Sequence, residues 1–191
     1  MRKGINDILL IQKAVAILDE YKIVLPEEQQ TGIFVDEYLS IVRESYDRLY
    51  KSEVEYGDTN TLISLYDDVI IFQSVIGNAN NHFLAGIAAK ASVLIDAAYD
   101  LYKKSNVDTK LPDFGGTKED AIDLFSEFLN NTNGFCTFKF DSGFDLQVPG
   151  CQEQAVLKAP RIYTVSMTVM SHTMTLFLVY GSSYNFEKVV V

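Results

Sequence analysis

Residues 80–104 read Asn-Asn-His-Phe-Leu-Ala-Gly-Ile-Ala-Ala-Lys-Ala-Ser-Val-Leu-Ile-Asp-Ala-Ala-Tyr-Asp-Leu-Tyr-Lys-Lys. Phe83, Leu84, Ile87, Ala91, Leu94, Ile95, Ala98, Leu101 and Tyr102 recur at helical spacing. Asn80 or Asn81 suits a cap at the start, and Lys103 and Lys104 suit the negative end of the helix dipole. The alanines and Gly86 widen the contact face, so other helices can approach on more than one side. The stretch predicts the central helix of a helical domain. Lys90, Asp96 and Asp100 interrupt the apolar run, which excludes a membrane-spanning helix here.

Upstream, three more helices are expected. Ile8, Ile11, Val15 and Leu18 give a stripe from Ile5 to about Val24, ended by Pro26 and the polar run Glu27 to Gly32. Val35, Tyr38, Leu39, Val42, Tyr46 and Leu49 mark a second helix, about Val35 to Ser52. Leu62, Leu65, Tyr66, Val69, Phe72 and Ile76 mark a third, about Thr61 to Ile76, although Val69-Ile70-Ile71-Phe72 has the composition of a strand. Short connections between such segments favour antiparallel neighbours in a bundle. Downstream, Ser105 to Gly116 reads as a loop. Thr117 and Asp120 stand at the N-cap and N3 positions of a short helix ending near Leu129, and Asn130 to Gly134 reads as its terminator.

After Gly134 the apolar period changes from near 3.6 to 2. Phe135–Phe140 and Phe144–Val148 flank Asp141-Ser142-Gly143, which predicts a hairpin with Cys136, Phe138 and Phe140 on one face. Arg161 to Tyr180 is a bulged strand or a second hairpin. A turn at Ser171-His172 would pair Val169 with Met174, Met167 with Leu176 and Val165 with Leu178. Phe186 to Val191 is a last short strand. The expected class is thus α+β: an antiparallel bundle of four to five helices over residues 1–133, then a small antiparallel sheet over 134–191. That sheet needs the helices or another chain as a second layer.

At 191 residues with 48% hydrophobic and 22% charged side chains, the composition is that of a globular protein. Residues 1–133 carry 22 acids and 12 bases, the whole of the net charge of −10, while 134–191 carry four of each. Such acidity repels phosphate backbones, so no direct nucleic-acid partner is expected. No basic start precedes a long apolar segment, so no signal peptide is expected. Cys136 and Cys151 are too few for a disulfide scaffold. An intracellular, cytoplasmic or virion setting follows as the expectation.

Chemistry-bearing patterns are sparse. His82 and His172 are the only histidines. A zinc site from Cys136, Cys151 and His172 lacks the usual short ligand spacing, and a Cys136–His172 dyad would put its thiol on an apolar face. Asp67, Asp68, Asp96 and Asp100 read as a solvated helix face, with Asp96 and Asp100 a weak divalent-ion pair at i, i+4. Asp113-Phe114-Gly115-Gly116-Thr117-Lys118 lacks the companions of a kinase tripeptide or a phosphate-binding loop. No catalytic, cofactor-binding or metal residue is assigned, and no cofactor is expected. The leading expectation is a non-catalytic, homo-oligomeric assembly protein, such as a tailed-phage neck or tail component. Its alternatives are an acidic inhibitor of a basic partner and an enzyme with a dispersed site. Phe186, Glu187, Lys188, Val189, Val190 and Val191 are the candidate oligomer interface, since a terminal strand can add to a neighbouring sheet.

Overall fold

In a computed structural model, the structure describes residues 27–50, 54–76, 82–105, 115–139 and 145–189. The expected helix at Ile5–Val24 and the loop at Asp141-Ser142-Gly143 lie outside them. The chain divides into two compact units, 1–42 and 43–191. The elements are α1 (Glu27–Tyr50), β1 (Val54–Ile76), β2 (Phe83–Ala89), α2 (Ala91–Ser105), α3 (Lys118–Lys139), β3 (Asp145–Leu146), β4 (Gly150–Val169), β5 (His172–Tyr180) and β6 (Asn185–Lys188).

The helical bundle with a small sheet is therefore overturned: the described residues hold three helices and one six-stranded antiparallel sheet. The sheet runs in the order β3-β1-β2-β5-β4-β6, and β1 also pairs with β4. The pairings β1–β2, β2–β5, β5–β4 and β4–β1 form a closed circuit. Two long strands, β1 and β4, carry the architecture, and β3 and β6 extend from them.

The stretch 80–104 splits at Lys90. Every residue of β2 is buried, so its two faces do not alternate in polarity and its apolar run imitates a helix. Gly86 explains how closely the strands meet: a Cβ there would lie 2.3 Å from both the Ile71 carbonyl oxygen and the Phe177 ring. Only the second half is helical, with Leu94, Ala97, Ala98 and Leu101 as the buried stripe of α2.

The expected third helix is β1. Its exposed half misled the spacing argument, because Leu62 and Tyr66 are exposed while only Leu65 of that group is buried. In its second half Ile70 and Phe72 join a core with Leu65, Leu84, Ala88, Leu157, Ile162, Phe177 and Val179. Val69, Ile71, Gln73 and Val75 alternate with them and are buried on the opposite side. There α3, with buried Ala121, Phe125, Phe128 and Leu129, packs on β1, and α2 packs on α3 and β5. Tyr46 of α1 reaches Phe128 with ring centroids 3.9 Å apart.

The boundaries of α1 and α3 also move. Glu27–Gly32, expected as a connection, is helical, and α1 ends at Tyr50. Thr117 and Asp120 cap α3 reciprocally: Asp120 N donates to Thr117 Oγ1 at 3.1 Å, and Thr117 N and Oγ1 donate to Asp120 Oδ2 at 3.2 and 2.7 Å. The helix then runs past the expected stop at Asn130–Gly134 to Lys139, so the Phe135–Val148 hairpin does not form. Leu146 pairs with Val75 instead.

The second expected hairpin is present as β4–β5, with its turn one residue earlier, at Met170-Ser171. Val169 pairs with His172, Met167 with Met174 and Val165 with Leu176. Met170 and Ser171 both have positive φ, 52° and 70°, as the primed hairpin turn requires. A two-residue shift in register leaves each side chain on its expected face.

Candidate functional site

Four polar side chains gather on one side of α3. Asp123, Glu127 and Asn130 stand at i, i+4 and i+7, which places them on a single exposed face, with Ser126 beside them. The opposite face is buried, so the helix cannot roll. This polar face forms one wall of an open groove of about 590 Å³; the other is the chain from Leu146 to Cys151.

That second wall is fixed by three features. Gln147 N donates to the Ser74 carbonyl at 3.0 Å. Gly150 gives room to Phe72, whose ring would lie 2.7 Å from a Cβ at that position. Lys118, at the start of α3, pairs with Glu153 of β4 at 2.7 Å. Val148 stands at the lip with 89% of its surface exposed.

Behind the groove sits Gln73, a polar side chain that is 0% exposed. Its Nε2 donates to Asn130 Oδ1 at 2.8 Å and to the Gln147 carbonyl at 2.7 Å. Its Oε1 accepts from Asn133 Nδ2 at 2.8 Å. One buried amide thus joins both walls. Because Oδ1 of Asn130 is taken by Gln73, its amine is the group presented to the groove.

The charge of the groove is informative. Its lining residues include Asp123 and Glu127 but no Lys, Arg or His. A free phosphate or carboxylate entering it would meet only like charge. A phosphoryl group can sit there only if its carrier supplies the opposing cation.

The residues singled out from sequence are scattered. Cys151 lines the groove as a free thiol, and His172 lies at the far end of β4, beside Val169. Burial, reinforced by Glu153, pushes the Cys151 thiol up despite the opposing pull of Lys118, so it is held protonated rather than as a nucleophilic thiolate. His172 Nε2 lies 2.8 Å from Asp100 Oδ2, a contact between β5 and α2. Cys136 falls within α3. Cys151 and His172 therefore do not share a zinc site, and among the described residues no group of three His, Cys, Asp or Glu side chains could hold a metal. Asp67 and Asp68 lie on β1 rather than on a helix face. Phe186, Glu187 and Lys188 belong to β6 and pair with Leu157, Val156 and Ala155 of the same chain. Val190 and Val191 lie outside the described residues. No helix of the described residues is long and apolar enough to cross a membrane.

Asn130 went unassigned because the helix was ended at Leu129, which left Asp123 and Glu127 as an unremarkable exposed pair. Extending it by one turn exposes the signal: three polar side chains at i, i+4 and i+7, opposite the buried Ala121, Phe125, Phe128 and Leu129.

No family model matches the chain, and no curated protein matches it. Solved structures do. The chemotaxis protein CheX from Desulfovibrio desulfuricans superposes with a TM-score of 0.57 at 9% identity, covering 75% of this chain and 96% of that one. FliY from Thermotoga maritima gives 0.51 at 10% identity, covering 84% and 93%. CheX of Borrelia burgdorferi, solved in a complex with CheY, BeF3 and Mg2+, gives 0.50 at 14% identity, covering 81% and 97%. The fold is that of the CheX- and CheC-like proteins. These likenesses, to chemotaxis and flagellar-switch proteins, overturn the expectation of a phage neck or tail component.

Proposed function

We propose that this chain docks a phosphorylated, CheY-like receiver protein and accelerates hydrolysis of its acyl phosphate. The observation that carries the reading is the groove: an outward-facing Asn130 amine and the Glu127 carboxylate, one helical turn apart on a fixed face, with no cation of their own. The fold supports it, since one solved likeness is a complex with CheY and BeF3. Beryllium trifluoride stands in for a phosphoryl group through its shape and charge.

The chemistry follows from the residue types. Water attacks phosphorus, the bond to the acyl oxygen breaks, and a carboxylate and inorganic phosphate leave. The Asn130 amine donates to an oxygen at the reacting centre and fixes its approach, a contribution of orientation and electrostatics. Glu127 and Asp123 repel phosphoryl oxygens, so they pair with cationic groups that the receiver brings. Val148, at the exposed lip, is the apolar contact for the partner surface.

The test uses receiver proteins charged with acetyl phosphate. Phosphate release should rise on adding this protein, and Asn130→Ala should lower that rise about 100-fold, the scale of one lost transition-state donor. Glu127→Ala and Val148→Asp should weaken capture of beryllofluoride-charged receiver. Free acetyl phosphate should not be turned over. Neither capture nor hydrolysis with any charged receiver defeats the reading. Self-association through the outer edge of β6 is a separate proposal, tested by solution mass before and after removal of residues 186–191.

A further inference from the structure

We infer that Gln73 is a positioning residue that decides which end of the Asn130 carboxamide faces the groove. The inference deepens the reading proposed above and rests on it for its functional consequence. A side chain on the exposed face of a helix ordinarily samples several rotamers. An amide can also turn end for end, exchanging a donor for an acceptor at nearly the same shape.

Three observations remove that freedom from Asn130. Gln73 is fully buried and cannot turn toward solvent. Its Oε1 is occupied by Asn133 Nδ2, a donor, so its Nε2 end must face Asn130. The second N–H of Nε2 is held by the Gln147 carbonyl on the opposite wall. Turning Gln73 over would set its oxygen against both Asn130 Oδ1 and the Gln147 carbonyl, and its amine against the Asn133 amine. All three contacts specify one orientation, and Asn130 must offer its oxygen inward. The amine then faces outward without being reorganised when a partner arrives, which is where preorganisation lowers a barrier. The same amide fixes the Gln147–Val148 wall, so groove width and Asn130 orientation are set by one side chain.

Two variants at Gln73 and one at Asn130 test this. Gln73→Glu exchanges the inward donor for an acceptor, which favours an Asn130 turned over with its oxygen outward. Gln73→Met removes the polar contacts at similar length. Asn130→Asp keeps the acceptor for Gln73 but presents an oxygen to the groove, and its exposed position lets it fold. Side-chain amide signals in nitrogen–proton correlation spectra report the geometry. The Asn130 signals should move in both Gln73 variants, and the Gln73 amine should stay protected from solvent exchange in Asn130→Asp and lose protection in Asn130→Ala. Hydrolysis of receiver phosphate should fall at least 10-fold in kcat for Gln73→Glu and Asn130→Asp. Unmoved Asn130 signals, or an unprotected Gln73 amine in the parent, would overturn the positioning role. If the Gln73 variants do not fold, the two Asn130 variants alone decide it by that protection difference. If the amide signals behave as expected while Asn130→Ala leaves hydrolysis unchanged, the proposed function fails and the positioning stands.

Discussion

Thr117 and Asp120 hold the start of α3 with three hydrogen bonds that never leave the segment, whereas its later turns are held from across the molecule. Asn133 sits inside α3 and donates to Gln73, 60 residues away in sequence. Asn130 accepts a hydrogen bond from the same side chain. Judged by propensity, Asn130-Asn131-Thr132-Asn133-Gly134 should end a helix. It does not, because buried Asn133 faces the sheet and donates to the buried Gln73 of β1. The first end is written locally, and the second is imposed by tertiary structure.

The difference predicts unequal costs. Asn133→Leu improves local helix propensity yet should destabilise by about 2–3 kcal/mol, because Gln73 Oε1 is left buried without its donor. Asp120→Ala, which removes the carboxylate half of the reciprocal cap, should cost about 1 kcal/mol. Denaturant titrations of the two variants give the order directly. A larger loss for Asp120→Ala would mean that the local end governs α3 after all.

What was legible in the sequence divides along the same line. The cap at Thr117 was legible because its partner lies three residues away. The buried stripe of α1 at Val35, Tyr38, Val42 and Tyr46 was legible because one face is apolar and the other is not. β2 was not legible as a strand, because a segment buried on both sides shows no alternation, and its alanines favour helix when considered alone. The site was half legible. Asp123 and Glu127 lay in the expected helix, but Asn130 gains its place on their face only if α3 continues, and what continues it is Gln73 on β1.

The β4–β5 turn repeats the contest on a smaller scale. Strand pairing forces positive φ on Met170 and Ser171, neither of which prefers it. Ser171→Gly should therefore stabilise by roughly 1 kcal/mol, the cost of a left-handed conformation for a residue with a Cβ. A thermal scan that shows a lower melting temperature for this variant would mean that the Ser171 side chain supplies more than the turn geometry costs.

The smallest effect sets local and tertiary forces against each other on one carboxylate. Asp67, on β1, accepts a hydrogen bond from the next residue, Asp68 N, at 2.9 Å. That bond favours the ionised form, as does Lys90, while partial burial and the Asp68 charge oppose it. Burial is the largest of these, and the carboxyl is held above its ordinary value of 3.8. The sign follows from proton binding. Just above pH 3.8 the folded chain holds this proton more tightly than the unfolded one, so stability falls as pH rises through the folded value. At pH 7 the ionised Asp67 is therefore a net cost, and Asp67→Asn should raise the melting temperature slightly. Below pH 3.8 the carboxyl is neutral in both states and this contribution should vanish. Comparing variant and parent at each pH isolates the contribution of this site from that of remote carboxylates. A variant less stable than its parent at pH 7, with the two converging in acid, would show that the local bond from Asp68 outweighs burial and would reverse the order of forces that α3 displays.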